Sequence, residues 1–210
     1  MSVGIIASSV VVSSGVDVLF EPFNNFTAAP WSTNGSPTII AGRTGTAANM
    51  SGSLQIATYT IPVPSRSDTA TVGVAFKWTD AQTTTRNIID LRAGGQVHNR
   101  VQVITTTGQL VFTRGVSAAV GTSAAGLVVA NTWYYLEFKS FMSDTVGYCL
   151  VRLNGVEVIN VSGVDTSPTT EILYNELKIG SGTTSVVQQY DDLYLSTGAG
   201  ATFKGPITIP

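Results

Sequence analysis

The chain has 210 residues, 43% hydrophobic and only 11% charged, with a formal net charge of -2 at pH 7. That length suits one large domain with a sizeable core, and a charged fraction far below the usual value of about 25% leaves a surface of Ser, Thr, Asn, Gln and Gly. Scattered basic residues, of which Arg86, Arg92 and Arg100 form the loosest grouping, exclude a dedicated nucleic-acid binder. One cysteine, Cys149, excludes an internal disulfide and a multi-cysteine metal centre. No apolar run reaches the roughly 18 residues that span a bilayer, so no membrane partner is expected.

Residues 1–15 read as an apolar arm, interrupted by Ser8 and Ser9 and without a basic residue before Arg43, which does not suit a secretion signal. Such an arm needs a sheet edge or a neighbouring subunit to cover it. Val3, Ile5, Ile6, Val10 and Val12 are its candidate partner-binding side chains. Strands are expected near 16–20, 38–41 and 54–61, the last closed by Pro62 and Pro64. In 71–79, Val72, Val74, Phe76 and Trp78 share one face, opposite Thr71, Gly73, Ala75 and Lys77. Further strands are expected at 87–92, 97–104, 109–114 and 127–130. Between 133 and 142, Tyr134, Leu136, Phe138 and Met142 face one way, and Trp133, Tyr135, Glu137 and Lys139 form a half-wet opposite face. Residues 148–153 and 156–161 flank Asn154-Gly155, whose positive φ angles suit a tight type I′ hairpin. Cys149 in this hairpin reads as a buried, inert thiol. Strands at 176–180 and 187–196 follow, and 201–210 is a tail with period-2 character, read as a final strand. Many short strands with Gly-rich turns indicate an all-β, two-sheet antiparallel sandwich over 16–200.

Four segments carry a resemblance: Gly42-Arg43-Thr44-Gly45-Thr46-Ala47, Trp133 to Phe138, Val151-Arg152-Leu153-Asn154-Gly155, and Tyr190-Asp191-Asp192-Leu193-Tyr194-Leu195. Their order and spacing are similar to those of concanavalin-like, laminin-G-like jelly rolls of the kind found in tailed-bacteriophage virion proteins. Asp17 to Phe23 resembles the opening strand of that family. The resemblance implies a concanavalin-like jelly roll with an extended N-terminal arm. It also implies a non-enzymatic virion subunit, for capsid decoration, head fibre or tail, docking on other virion proteins and on copies of itself. Some members hold one Ca²⁺ near the opening and closing strands, which here nominates Asp192 with Asp17 or Glu21; otherwise Asp192 braces loop amides.

The residues themselves argue against hydrolysis. Glucanases of this fold resemble a Glu-x-Asp-x-x-Glu pattern, which is absent, and Asp191 and Asp192, being adjacent, should point to opposite faces of a strand. His98 lacks a nucleophile elbow and is expected to face solvent. A lectin-like module recognising host-surface glycans is the alternative. Trp31 and Asn34 are its candidate sugar contacts, with Trp31 otherwise folding over the core edge as a lid.

Overall fold

The computed structural model describes residues 15–24, 31–51, 55–79, 85–180 and 187–209. The arm side chains Val3, Ile5, Ile6, Val10 and Val12 lie outside them. The strands are β1 (Val16–Glu21), β2 (Trp31–Asn34), β3 (Thr38–Ala41), β4 (Thr46–Met50), β5 (Ile56–Thr60), β6 (Thr69–Trp78), β7 (Thr85–Ala93) and β8 (Gln96–Ile104). They continue as β9 (Gln109–Arg114), β10 (Ala118–Thr122), β11 (Tyr134–Phe141), β12 (Gly147–Leu153), β13 (Val156–Val164), β14 (Glu176–Ile179) and β15 (Gln188–Thr197).

Two antiparallel sheets form a sandwich. The first runs β13-β12-β11-β6-β15-β4-β3, with β1 also paired to β15; the second runs β10-β9-β8-β7-β14-β5-β2. Period-2 alternation turns Val72, Val74 and Phe76 of the first sheet into a common core with Ile89, Leu91, Val101, Val103 and Phe112 of the second. Each is at most 2% exposed. The inward polar groups are satisfied together: Tyr174 donates its hydroxyl to Asn99 Oδ1, and Ser140 Oγ donates to the same oxygen at 3.0 Å. Cys149 is fully buried, and desolvation pushes its thiol well above the usual range.

Asn154 and Gly155 have φ of +50° and +82°, the backbone of the expected I′ hairpin between β12 and β13. Three short strands escape the sequence pattern: β2, β4 and β10. Residues 127–130 form no strand; Val128 donates its N–H to Gly108 O at 3.2 Å, and its side chain enters the core from a loop. The tail is also no strand. Its backbone groups bond to side chains instead of to a neighbouring strand, and it lies across the outer face of the first sheet.

Candidate functional site

The outer face of the first sheet is laid out by strand register. Across β6, β11, β12 and β13, Thr71 pairs with Lys139, Lys139 with Leu150, and Leu150 with Asn160. The next row holds Thr69, Phe141, Tyr148 and Ser162; the row on the other side holds Gly73, Glu137 and Arg152, with Glu157 beyond. Since successive side chains alternate faces, these residues point away from the core. The tail divides this face into a covered half and an open half.

Over the covered half, Glu137 is fully buried, and its Oε1 accepts the Tyr194 hydroxyl at 2.5 Å and the N–H groups of Lys204 and Gly205 at 3.0 and 2.9 Å. Among the described residues its Oε2 has no hydrogen-bond partner. Burial, then the bond to Glu137, pushes the Tyr194 phenol far above its ordinary value. Ala75, Tyr135 and Tyr194 form a second small cluster here, with Trp133 and Ile207 packed against it. The face expected to be half-wet is therefore dry at Tyr135 and Glu137, because the tail excludes water from it.

The same half joins two segments of the resemblance. β15 carries an extra residue between Asp191 and Tyr194, and Asp192 takes φ +48°. This bulge turns both carboxylates toward the loop between β3 and β4, which corrects the expectation that they oppose one another. Thr44 donates its N–H to Asp191 Oδ2 at 2.9 Å and its hydroxyl to Asp192 at 3.0 Å. Arg43 donates to Asp192 Oδ2 from Nε and Nη2 at 3.0 and 2.6 Å, and to the carbonyl of Ile207. Ile209 N–H donates to Asp192 Oδ1 at 2.6 Å. A side chain at Gly42 would collide with the Asp191 carboxylate, so that loop position must be bare. Burial raises the Asp191 pKa and the nearby Asp192 charge adds to it, while the Thr44 amide works in the opposite direction.

The open half comprises two adjoining hollows of about 260 and 320 Å³ that share Lys139 and Leu150. Tyr148, Asn160, Val161 and Ser162 line one; Arg152, Ala201, Thr202 and Phe203 line the other. Lys139 Nζ donates to the carbonyls of Ala199 and Ala201 at 3.0 and 2.7 Å, and burial lowers its pKa. The Arg152 guanidinium lies 4.2 Å from the Phe203 ring centroid. Tyr148 and Phe141 rings are 5.6 Å apart and tilted by 37°. This groove, mainly apolar in its lining with a few polar and aromatic side chains, can hold an extended ligand by hydrogen bonds and ring contacts. Its residues escaped the sequence reading, although alternate positions of the hairpin (Tyr148, Leu150, Arg152, then Asn160, Ser162) carry the signal.

The residues nominated from the sequence fall elsewhere. Trp31 is buried at 8% exposure against Phe23 and Tyr59, and its Nε1 donates to Glu21 Oε2 at 2.9 Å. It is the lid rather than a sugar platform, and Asn34 sits exposed at the end of the same edge strand. Asp17, Glu21 and Asp192 do not fit a calcium ion. Asp17 accepts from Lys204 Nζ and Ser196 Oγ at 2.8 and 2.6 Å, Glu21 from Phe23 N–H and Trp31, and Asp192 from Arg43, Thr44 and Ile209. Among the described residues no group of three or more His, Cys, Asp or Glu is gathered for a metal. His98 is fully buried, contrary to expectation: its neighbour Asn99 turns into the sandwich, and on the opposite face the loop residue Thr169 meets His98 Nε2 through its Oγ1 at 3.0 Å.

No protein-family profile and no curated protein sequence matches the chain. Solved structures do. Domain 4 of AbnA, an extracellular arabinanase of Geobacillus stearothermophilus solved with arabinotriose, aligns with a TM-score of 0.59 at 15% identity, over 88% of this chain and 94% of that one. Alginate lyase Aly36B aligns at 0.53 and 10% identity, over 88% and 97%. The binding domain of botulinum neurotoxin DC, solved in complex with SialylT, aligns at 0.55 and 11% identity, over 79% of this chain but only 42% of that one. At such identities the likeness is one of fold: the chain is a jelly-roll-like β-sandwich.

Proposed function

We propose that this chain is a non-catalytic, lectin-like module that binds carbohydrate in the open groove over β11, β12 and β13. The observation that carries the reading is the outward-facing pair of rows, Tyr148 with Ser162 and Leu150 with Asn160, held on paired strands beside a pinned tail. Domains of this fold solved with arabinotriose and with SialylT lend it support. The non-catalytic part rests on the carboxylates: Asp191 and Asp192 are occupied by Arg43 and Thr44, and Glu137 lies beneath the tail.

A glycan array followed by calorimetry tests the reading. Saturable binding is expected, weakened about tenfold or more by Tyr148→Ala or Asn160→Ala, each of which removes one contact of roughly 1.4 kcal/mol. Absence of any glycan ligand, or binding indifferent to both changes, would refute it. Docking on neighbouring virion proteins, expected from the arm, rests on residues outside the described ones and is a separable proposal. Deleting residues 1–14 should abolish particle assembly in that case and leave glycan binding intact.

A further inference from the structure

Five of the eleven cations form ion pairs shown among the described residues. Arg43, Arg92, Arg100, Arg114 and Lys204 each meet a carboxylate, on Asp192, Glu176, Asp90, Asp165 and Asp17 respectively. Lys139 and Arg152 are held instead by neutral groups, as Arg66 is by the Ile61 carbonyl and Lys77 by the Trp133 ring. Lys139 is held by two carbonyls and Arg152 by the face of Phe203, and among the described residues neither forms an ion pair. Neutral dipoles and a ring orient these cations without cancelling their charge.

Their placement is fixed by register. Lys139 stands opposite Leu150, and Arg152 is two residues further along the same strand on the same face. Diagonal neighbours of this kind have backbones about 7–8 Å apart. Long side chains on them can therefore converge on one anionic group or bracket two along a chain. Among the described residues no acidic side chain lines either hollow. Two carboxylates flank Arg152 in register, Glu137 buried under the tail and Glu157 bonded to the Asn160 amide at 2.9 Å, and neither lines the hollows.

We infer that the groove takes acidic saccharides, with Lys139 and Arg152 binding the sugar carboxylate and Asn160 and Ser162 the hydroxyls. This rests on the carbohydrate-binding reading and narrows it to a substrate class.

The test compares matched probes on the full chain by calorimetry: tetragalacturonate against its methyl ester, and 3′-sialyllactose against lactose. At least one acid should bind about tenfold or more tighter than its neutral partner, with the advantage shrinking as salt rises. Arg152→Gln should remove most of that advantage while leaving the melting temperature near wild type, and Lys139→Gln should act in the same direction. If acid and neutral partner bind equally, the acidic preference is wrong while the carbohydrate reading stands. If none of the four probes binds, this inference falls, and an array without hits removes the carbohydrate reading with it. An acid preference that survives Arg152→Gln unchanged also overturns the assignment.

Discussion

Asp192 shows how one backbone angle changes what a residue does. On a regular strand its carboxylate would lie on the face opposite Asp191, but a left-handed φ of +48° at the bulge brings it to Thr44, Arg43 and Ile209. Its side chain is fully buried, whereas that of Arg43 is 26% exposed. Removing the buried partner strands the others, so Asp192→Ala should cost about 2–4 kcal/mol in chemical denaturation, and Asp192→Asn less. Gly73 makes the opposite demand: a methyl group there would enter the Tyr194 ring. Gly73→Ala should lower stability by about 1–3 kcal/mol through overpacking, read from the denaturation midpoint at unchanged slope. His98 gives a pH signature. Burial lowers its pKa and the Glu171 charge opposes this only in part, so the unfolded imidazole takes up a proton before the folded one. Its contribution is full above about pH 6.5 and is lost as pH falls through that value toward the lower folded one. Between pH 7.5 and 5.5 the wild type should lose more stability than His98→Gln, and equal slopes would show that the imidazole titrates alike in both states.

Among the elements, the tail contributes most beyond the regular strands. It covers Tyr135, Glu137 and Tyr194, bonds to Arg43, Asp192 and Glu137, and walls the open groove with Ala201, Thr202 and Phe203. Cutting the chain after Gly200 should expose this second small core. Hydrogen exchange in β11 is then expected to quicken, the melting temperature to drop by several degrees, and Trp133 emission to shift to the red. A truncated chain with wild-type exchange in β11 would mean that the sheet holds this face without the tail. The hairpin of β12 and β13, by contrast, forms from local information, since Asn154-Gly155 adopts the required angles itself.

On the scale of the whole molecule, the sandwich was legible because period-2 alternation and turn chemistry are local properties of the chain. They specify strands such as β6, β9 and β12 and the inward side chains Val72, Val74 and Phe76. The short strands β2, β4 and β10 were not legible, because four or five residues of Trp-Ser-Thr-Asn or Ala-Ala-Val-Gly-Thr carry no periodic signal and become strands only beside a partner. The candidate site was not legible. Tyr148, Arg152 and Asn160 belong to a hairpin that Asn154-Gly155 marks, yet only the register across four strands set them beside Lys139. Only the tail decided which part of that face stays open. His98, expected at the surface of a strand, is buried by long-range packing, and Trp31 takes the lid position that its sequence setting allowed. By itself, then, the sequence determined the fold class and most core faces, since these follow from neighbouring residues. Tertiary structure decided the meeting of Asp192 with Arg43, the dry half under the tail and the groove holding Lys139 and Arg152, because each depends on residues more than sixty positions apart or on strands that only the folded sheet aligns.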